Sequence, residues 1–413
     1  MTDSQRKTFE IGQILRVEIE KVAHGGHFIA RYEGAVIFVR HAIPGEIVEI
    51  KITGIEKKLI KADVVAVIEA SASRVVPPCK FAHAAGCGGC DFQHIDIARQ
   101  RELKSEVIAE QFARISKMEV EVDVEEVSTP LHWRTRYAAT TSTTGELGFK
   151  AAASTKVIAI DSCPILVPEI DLPTLPRADI AAHRRVDVAI STRGERMVGV
   201  SELRNSRTER NNPVEIIEGK KAMFFDVATS FGESSYQVSQ GSFWQGNINA
   251  PAALVEAVLS YADLREGDHV MDLYGGVGLF AAAVLPLIGA SGKVDLIEAS
   301  SSATRDCAQN FRSVSNVSIH TADVAKALRN FESADVVLLD PPRTGAGSDV
   351  IEAMVALMPR SIIYIACDPA ALARDTSYLR EHGFHLQAIR AFDLFPMTHH
   401  VESVALFTAD EVS

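Results

Sequence analysis

The sequence predicts a multi-domain protein with an N-terminal all-β barrel of the OB type, a central α+β domain and a C-terminal α/β domain with a Rossmann-like sheet. Three patterns predict this architecture. Apolar and polar residues alternate over residues 8–70, cysteines cluster just after that stretch, and strand-like and helix-like runs alternate from Asn249 onward. The 413 residues are enough for two or three domains, and we place the boundaries at 1–70, 71–240 and 241–413.

The first predicted domain is a small barrel. Residues 8 to about 70 alternate apolar and polar side chains, as strands with one buried face do. Gly25-Gly26, Gly34 and Pro44-Gly45 interrupt the alternation and are turn signals. Several short strands at this spacing are typical of a barrel.

The central segment mixes helix and strand patterns. Prolines at 77 and 78 mark a linker after the barrel, and apolar residues at helical spacing predict a helix over 96–117. From about 120 to 230 the pattern returns to strands, with a hairpin turn at 143–146 and a loop at 168–176. We therefore expect an α+β domain here.

The C-terminal segment has the pattern of an open parallel sheet with helices on both faces, preceded by a helix after Asn249. Two last strand-like runs, His385–Phe392 and His400–Phe407, leave little room for a helix between them. We expect them to form an antiparallel pair that closes the sheet. The five candidate parallel strands are His269–Leu273, Lys293–Glu298, Val317–Thr321, Asp335–Asp340 and Ser361–Ala366.

Charge and hydropathy limit the partners. The net charge of −12 does not suggest nucleic-acid binding, but a local basic surface matters more than the global charge. The sequence has neither an apolar run of about 18 residues nor a secretory signal, so we expect a cytoplasmic protein without a membrane segment. Four basic groups could be solvated faces or RNA contacts: Arg99, Arg101 and Lys104; Arg134 and Arg136; Arg184 and Arg185; Arg204, Arg207 and Arg210.

A glycine-rich loop, Asp272 to Phe280, follows the first parallel strand and precedes a helical run. Glycines let the backbone turn tightly and approach a ligand closely. Glu298 ends the next strand, where an acidic side chain can accept both ribose hydroxyls of a nucleoside. Because the loop reads DLYGGVG rather than GxGxxG, it favours S-adenosylmethionine over NAD; a purely structural corner is the alternative. Asp323 either reaches the adenine end or caps a helix.

Three residues at strand ends form a candidate catalytic group. Asp340 begins Asp-Pro-Pro-Arg343 after an apolar strand, where it can face both methyl donor and acceptor. Cys367 follows the next strand in a polar turn, which favours a nucleophile over a buried structural cysteine. Glu402 enters the last strand, and a carboxylate there is costly unless it is paired or functional, so we interpret it as a general base.

The remaining cysteines divide into two kinds. Cys79, Cys87 and Cys90 lie within twelve residues and Cys163 follows, which in a cytosolic chain favours a metal site over disulfides. Cys307 lies in a predicted helix, where a structural role is favoured. The pair His399-His400 could bind metal, but a polar turn is the favoured interpretation.

These motifs together resemble the RNA uracil-5-methyltransferases, a class I S-adenosylmethionine-dependent family, and most closely the 23S ribosomal-RNA branch with a TRAM domain and an iron–sulfur cluster. The resemblance spans the whole chain. Its matching pieces are the barrel, the cysteine cluster, Ser242-Phe-Trp-Gln245, DLYGGVG, DPPR, ACDP and HVES. The family's ACDP segment often reads SCNP, so Ala366 and Asp368 are departures.

The resemblance implies a mechanism and a set of site residues. Cys367 looks like the nucleophile that adds to uracil C6, Glu402 like the base that removes the C5 proton, and Asp340 like an aspartate near both base and cofactor. The target base must leave its stack to reach them. The implied S-adenosylmethionine contacts are Gln245, Tyr274, Gly275, Glu298, Asp323 and Asp340.

The resemblance also assigns a metal group. Cys79, Cys87, Cys90 and Cys163 resemble the ligands of a 4Fe–4S cluster, which thiolates hold. The first gap here has seven residues where five are expected, and zinc on the same four thiolates is the alternative. We expect the cluster to be structural, because its sequence gives it no link to the methyl-transfer site.

Two other functions compete with this interpretation. A methyltransferase acting on an amine or a small molecule is disfavoured by Arg343, which stands where amine enzymes have an aromatic residue. A non-catalytic RNA-binding protein is disfavoured because both Cys367 and Glu402 are present. Ribosomal RNA is the favoured substrate and transfer RNA the alternative. We expect Arg134 and Arg136 to contact RNA, and the protein to be a monomer.

Overall fold

The structure is a computed structural model that describes residues 9–56, 59–152, 154–175, 180–203 and 213–409. The predicted basic group of Arg204, Arg207 and Arg210 lies outside these ranges. Within them, no helix combines the length and apolar character needed to cross a membrane.

The N-terminal domain is a closed barrel of five strands: β1 (Ile14–Ala23), β2 (His27–Tyr32), β3 (Ala35–Arg40), β4 (Ile47–Glu56) and β5 (Leu59–Glu69). Their order around the barrel is β1-β2-β3-β5-β4, and only the β3–β5 pair is parallel. Alternate side chains, such as Ile37 and Val39, fill the interior. The predicted barrel is confirmed.

A loop with three cysteines leads from the barrel to helix α1 (Ile97–Gln111). The Asp96 side chain accepts a hydrogen bond from the amide of Ala98 and caps the first turn. A π-helical turn over Phe112–Ser116 extends the helix to Lys117, whose φ of 56° ends it. The predicted helix over 96–117 is therefore confirmed.

The central domain is built on a six-stranded antiparallel sheet in the order β12-β11-β10-β7-β8-β9. A separate hairpin, β13–β14, follows it. Two short 3-10 turns, Pro168–Ile170 and Leu172–Thr174, occupy the predicted loop. The strands are β7 (Arg136–Thr141), β8 (Leu147–Lys150), β9 (Val157–Ala159), β10 (Arg184–Ile190), β11 (Arg196–Glu202), β12 (Glu215–Glu218), β13 (Ala222–Thr229) and β14 (Gly232–Ser239).

The C-terminal domain is an α/β sandwich whose parallel strands agree with the predicted ones to within one residue. Its strands are β15 (His269–Leu273), β16 (Lys293–Glu298), β17 (Val317–Thr321), β18 (Val336–Leu339), β19 (Ser361–Ala366), β20 (Phe384–Asp393) and β21 (Glu402–Ala409). Its helices are α2 (Ala250–Tyr261), α3 (Leu279–Ile288), α4 (Ser301–Asn310), α5 (Val324–Leu328), α6 (Ser348–Val355) and α7 (Pro369–Glu381). Apolar cores lie on both faces of the sheet.

The sheet order is β17-β16-β15-β18-β19-β21-β20-β6, where β6 is Val124–Glu126. The strands β19, β21 and β20 pair antiparallel, as predicted for the end of the chain. The edge strand β6, however, comes from the segment after α1 and pairs parallel with β20. The segment between the barrel and the C-terminal domain therefore contributes a strand to the eight-stranded sheet. The sequence pattern of that segment did not predict this pairing.

Candidate active site

The candidate functional residues lie at the carboxyl ends of the parallel strands of the eight-stranded sheet, which we call the catalytic sheet; this end of the sheet is the active-site edge. Tyr274 follows β15, Glu298 ends β16, Asp340 follows β18 and Cys367 follows β19. In open α/β sheets ligands bind at this edge. The sheet order therefore collects residues that are almost 100 positions apart in sequence.

Strand β21 runs in the opposite direction and begins at this same edge. Ala366 of β19 pairs with Ser403 of β21. The next residues outward are Cys367 and Glu402, so the proposed nucleophile and base face each other across adjacent strands. Directly opposed residues of an antiparallel pair have Cβ atoms about 5 Å apart.

Burial dominates the electrostatics around the two carboxylates. It raises the pKa of Asp340 to about 7. Burial, followed by the charge of Asp340, raises the pKa of Glu402 well above its usual value, and Arg343 opposes that shift. A buried carboxylate of raised pKa is a stronger base once ionised, as a general base requires.

Cys367 shares this environment. Burial, then the charges of Glu402 and Asp340, raise the pKa of its thiol to about 12, while Arg343 lowers it. Arg343 donates to His400 Nε2 over 3.2 Å. Burial and the neighbours His399 and Arg343 lower the pKa of His400 to about 3, so this imidazole is neutral and can accept.

The glycine loop is held by contacts to the next strand. Tyr274 adopts a φ of 60°, and its amide donates to Ile297 O over 2.8 Å. A Cβ on Gly275 would lie 2.6 Å from the Leu296 side chain, so the loop fits against β16 only with glycine there. The buried Asp272 accepts from the amide of Ala281 over 3.0 Å and thereby joins the loop to α3.

Glu298 is hydrogen-bonded to the glycine loop, whereas Asp323 is hydrogen-bonded to helix α5. Glu298 accepts from the amides of Gly276 and Ser300 at 3.2 and 2.6 Å, one with each carboxylate oxygen. Asp323 is exposed and caps α5 by accepting from the amide of Lys326. The helix cap is one of the two roles that the sequence left open for Asp323. Burial, followed by the charge of Asp323, raises the pKa of the Tyr274 hydroxyl.

The Ser242–Gln245 segment is fixed against α4. Asp306 accepts hydrogen bonds from Ser242 Oγ over 2.7 Å and from the amide and hydroxyl of Ser239. Trp244 packs its ring on Phe225 and Tyr236 of the hairpin. Gln245, the residue after Trp244, is buried.

Arg134 and Arg136 make interior contacts, which disfavour the RNA contacts expected of them. Both terminal nitrogens of Arg136 donate to Ser242 O over 3.2 Å. Arg134 donates to the carbonyl of Arg136 and lines the cavity of the cysteine loop. The guanidinium group of Arg136 thus connects the central sheet to the segment that carries Gln245.

Four cysteines line one cavity of about 230 Å³ between the cysteine loop and the central sheet: Cys79, Cys87, Cys90 and Cys163. Burial raises the pKa of Cys90 to about 12 and that of Cys163 to about 11. In the described ranges, no set of three or more potential ligands is arranged to hold a metal ion. Cys307 is fully buried in α4, as its structural interpretation predicted.

The cysteine loop touches the active-site edge, which its sequence did not indicate. Asp91, next to Cys90, accepts from the amide of His399 over 2.9 Å and pairs with its ring nitrogen. Phe92 donates its amide to Met397 O. The loop that leads into Glu402 is therefore anchored on the residues after the third cysteine, and His399 belongs to that anchor.

A second cavity, of about 160 Å³, opens beside Cys367. Its wall includes Arg343 and His400 from the catalytic domain and the β1–β2 turn of the barrel, residues 23–26. Lys104 of α1 also lines it, fully buried and paired with Asp393. Sequence reasoning missed the barrel turn, Asp91 and Lys104 as neighbours of the site, because each comes from a distant part of the chain.

The strand order, the glycine loop after β15 and the acidic end of β16 define a class I methyltransferase. Residues 226–410 match the family model described as tRNA (Uracil-5-)-methyltransferase, and residues 8–65 match the TRAM domain. The chain belongs to the RNA uracil-5-methyltransferase family, whose methyl donor is S-adenosylmethionine.

Similar proteins agree with this membership. An RNA methyltransferase of Streptomyces avermitilis is 39% identical, with 96% of this chain and 98% of the relative aligned. A protein named 23S rRNA (uracil(1939)-C(5))-methyltransferase from Shewanella amazonensis is 28% identical over 96% of each chain. The solved tRNA (uracil-54, C5)-methyltransferase of Pyrococcus abyssi, in complex with S-adenosyl-L-homocysteine, has a similar fold: TM-score 0.68, 22% identity, 95% of this chain and 99% of that one.

Proposed function

We propose that this protein methylates carbon 5 of a uracil in RNA, with Cys367 as nucleophile and Glu402 as base. The observation that carries the proposal is the meeting of these two side chains across β19 and β21, beside Asp340. Uracil C5 is a poor nucleophile, and it becomes reactive only when C6 is saturated. A thiol and a base at adjacent strand ends suit that chemistry.

The thiolate of Cys367 adds to C6, which turns the C4–C5 edge of the ring into an enolate. C5 of the enolate then attacks the methyl carbon of S-adenosylmethionine, the second substrate, and S-adenosylhomocysteine leaves as the S–CH3 bond breaks. Glu402 then removes the remaining C5 proton, and the electron pair of that C–H bond expels the thiolate from C6. Arg343 favours the anion of Cys367, and a base flipped out of its stack can reach both groups.

The donor is expected to lie over the glycine loop. The backbone of Tyr274 and Gly275 approaches it closely, Glu298 accepts the ribose hydroxyls, and Asp340 lies between donor and base. Gln245, on the segment held by Asp306, and Asp323, which caps α5, are also proposed to contact the donor, Asp323 at its adenine end.

Ribosomal RNA is the proposed substrate. The support is the full-length similarity to relatives named 23S rRNA uracil-5-methyltransferases. Transfer RNA is the second candidate, favoured by the fold similarity to a tRNA enzyme. The test is mass-spectrometric mapping of 5-methyluridine in both RNAs from cells with and without the gene. Loss from 23S rRNA alone supports the first candidate, and loss from tRNA alone supports the second.

The four cysteines are proposed to hold a 4Fe–4S cluster. Their shared cavity has room for a polyatomic cluster, and the amide of Gly89 donates to Cys87 Sγ over 3.4 Å, a contact typical around cluster sulfurs. Zinc on the same thiolates is the alternative. Protein purified without oxygen should be brown with broad visible absorption and contain iron. A colourless protein with one zinc per chain would contradict the cluster.

A further inference from the structure

The turn between β1 and β2 of the barrel touches the loop that carries Cys367. His24 Nε2 lies 3.1 Å from Asp368 Oδ2, although the two residues are 344 positions apart in sequence. Both side chains are partly buried, with 36% and 24% of their side-chain surface exposed. The contact joins the TRAM barrel directly to the residue after the proposed nucleophile.

Asp368 uses its two oxygens for different purposes. Oδ1 accepts from the amides of Ala370 and Ala371, at 3.0 and 2.9 Å, and caps α7. Oδ2 is left for His24. Burial alone would raise the pKa of Asp368, but the His24 contact and the two amides hold it below its usual value. The carboxylate thus fixes the backbone on the C-terminal side of Cys367.

The barrel turn is shaped for this close approach. A Cβ on Gly26 would lie 2.2 Å from Asp91 Oδ2 and 2.8 Å from His399 Nδ1, so only glycine lets the turn seat against this pair. The turn therefore contacts both loops of the acceptor site: His24 the one after β19, and Gly26 the one before β21. It also forms part of the wall of the 160 Å³ cavity beside Cys367.

We propose that His24 is a positioning residue for methyl transfer: its hydrogen bond to Asp368 holds the Cys367 loop in the geometry in which the thiol faces Glu402. The barrel is then part of the catalytic apparatus in addition to any contact with RNA. The proposal deepens the proposed function and rests on Cys367 as nucleophile. A slight displacement of a reacting group lowers the rate without changing donor binding.

The test compares His24→Ala, His24→Gln and Asp368→Asn in the full-length protein. In His24→Ala, hydrogen–deuterium exchange of the amides of Ala370 and Ala371 should rise about tenfold, as for loss of one hydrogen bond to a charged group. The single-turnover methyl-transfer rate should fall by a similar factor, while the KM for S-adenosylmethionine stays unchanged. His24→Gln keeps a nitrogen donor and should restore most of both.

Lys21→Ala is the matched control. Lys21, also near the end of β1, pairs with Glu110 of α1, so this variant removes a different side-chain contact of the barrel without touching Asp368. It should leave exchange and rate unchanged. Asp368→Asn keeps the cap oxygen but removes the charge, and His24→Ala should add nothing in that background.

Unchanged exchange or an unchanged methyl-transfer rate in His24→Ala would overturn the proposal, as would an equal effect of Lys21→Ala. Exchange is measured without RNA and does not depend on the role of Cys367. If Cys367→Ala stayed active while His24→Ala altered exchange, the proposed function would fail but the contact would stand. If Cys367→Ala were inactive and exchange did not respond to His24, the positioning role alone would fail.

Discussion

The proposed donor half of the site, which would bind S-adenosylmethionine, and the proposed acceptor half, which would bind the uracil, are built differently. The core of the donor half uses consecutive elements, β15, the glycine loop, α3 and β16, and the hydrogen bonds among them join residues within about 25 positions of one another. The Gln245 segment joins this core through Asp306. The acceptor half combines Cys367 and Glu402 from separated strands with anchors from other domains. Asp91 reaches it from the cysteine loop, 308 positions from His399, and His24 reaches it from the barrel.

This difference has a functional consequence. On the proposed assignment, donor affinity depends mainly on the local geometry of the α/β domain. The alignment of thiol and base depends on contacts between domains. Changes in the barrel or cysteine loop should therefore lower the rate of methyl transfer and leave donor binding intact. Changes in the glycine loop should weaken donor binding and leave the rate of methyl transfer nearly unchanged.

The largest effect is expected at the acceptor half itself. Cys367→Ala should lower 5-methyluridine formation by more than about 10⁴-fold, because it removes the thiol that is proposed to saturate C6. Donor affinity, measured by calorimetry, should stay within about twofold because the thiol belongs to the acceptor side. Cys307→Ala removes a buried thiol of α4 and is the control for simple loss of a cysteine. Full activity of Cys367→Ala would contradict the role of Cys367 as nucleophile.

Glu298→Gln tests the donor half. The two oxygens of Glu298 accept from two different amides, Gly276 and Ser300, and an amide side chain has only one oxygen for them. We expect the KM for S-adenosylmethionine to rise about tenfold with kcat nearly unchanged. Asp323→Asn, which keeps the helix cap, should have a smaller effect. A fall in kcat with an unchanged KM would contradict the division between halves.

Asp91→Ala tests the anchor of the base loop. The variant leaves the amide and ring of His399 without their acceptor, so the residues before Glu402 lose their support. We expect kcat to fall about tenfold and donor affinity to stay constant. Since Asp91 follows Cys90, iron content is measured in parallel, and Asp91→Asn, which can still accept from the amide, should be milder. Equal losses of donor affinity and rate would show that the halves are not separable.

The smallest effect concerns stability. Burial raises the pKa of Asp340 from 3.8 to about 7, so the folded protein binds this proton more tightly than the unfolded chain. The resulting destabilisation is absent below about pH 4, grows between the two pKa values and is complete above pH 7. Asp340→Asn should therefore raise the thermal midpoint at pH 8 by about 4 °C. The gain should be smaller at pH 5, and equal gains at both pH values would exclude this charge as the cause.

The same contrast explains what the sequence could predict. The parallel strands of the C-terminal sheet were predictable because short apolar-rich segments alternate with helical runs; His269–Leu273 is mostly apolar and Val336–Leu339 is apolar throughout. The places of Asp340 and Cys367 followed from these strand ends. Glu402 drew attention because a carboxylate begins an apolar strand, and it is indeed buried.

The remaining features have no local pattern. β6 is only three residues long, and His24 and Asp91 become meaningful only through partners more than 300 positions away. Arg134 and Arg136 were predicted to contact RNA, yet Arg136 donates to Ser242 O and Arg134 lines the cysteine cavity. Contacts between domains can be identified only in the tertiary structure, because neither the spacing nor the composition of a segment shows which distant residue it will contact.

The most direct test of the central claim is the fate of the Glu402→Gln variant with RNA and S-adenosylmethionine. The thiolate can still add to C6, but without the base the C5 proton stays, and the adduct cannot break down. Intact-mass analysis should detect a covalent protein–RNA complex that resists denaturation and is absent when Cys367→Ala is added. Normal turnover of Glu402→Gln without such a complex would contradict the pairing of nucleophile and base.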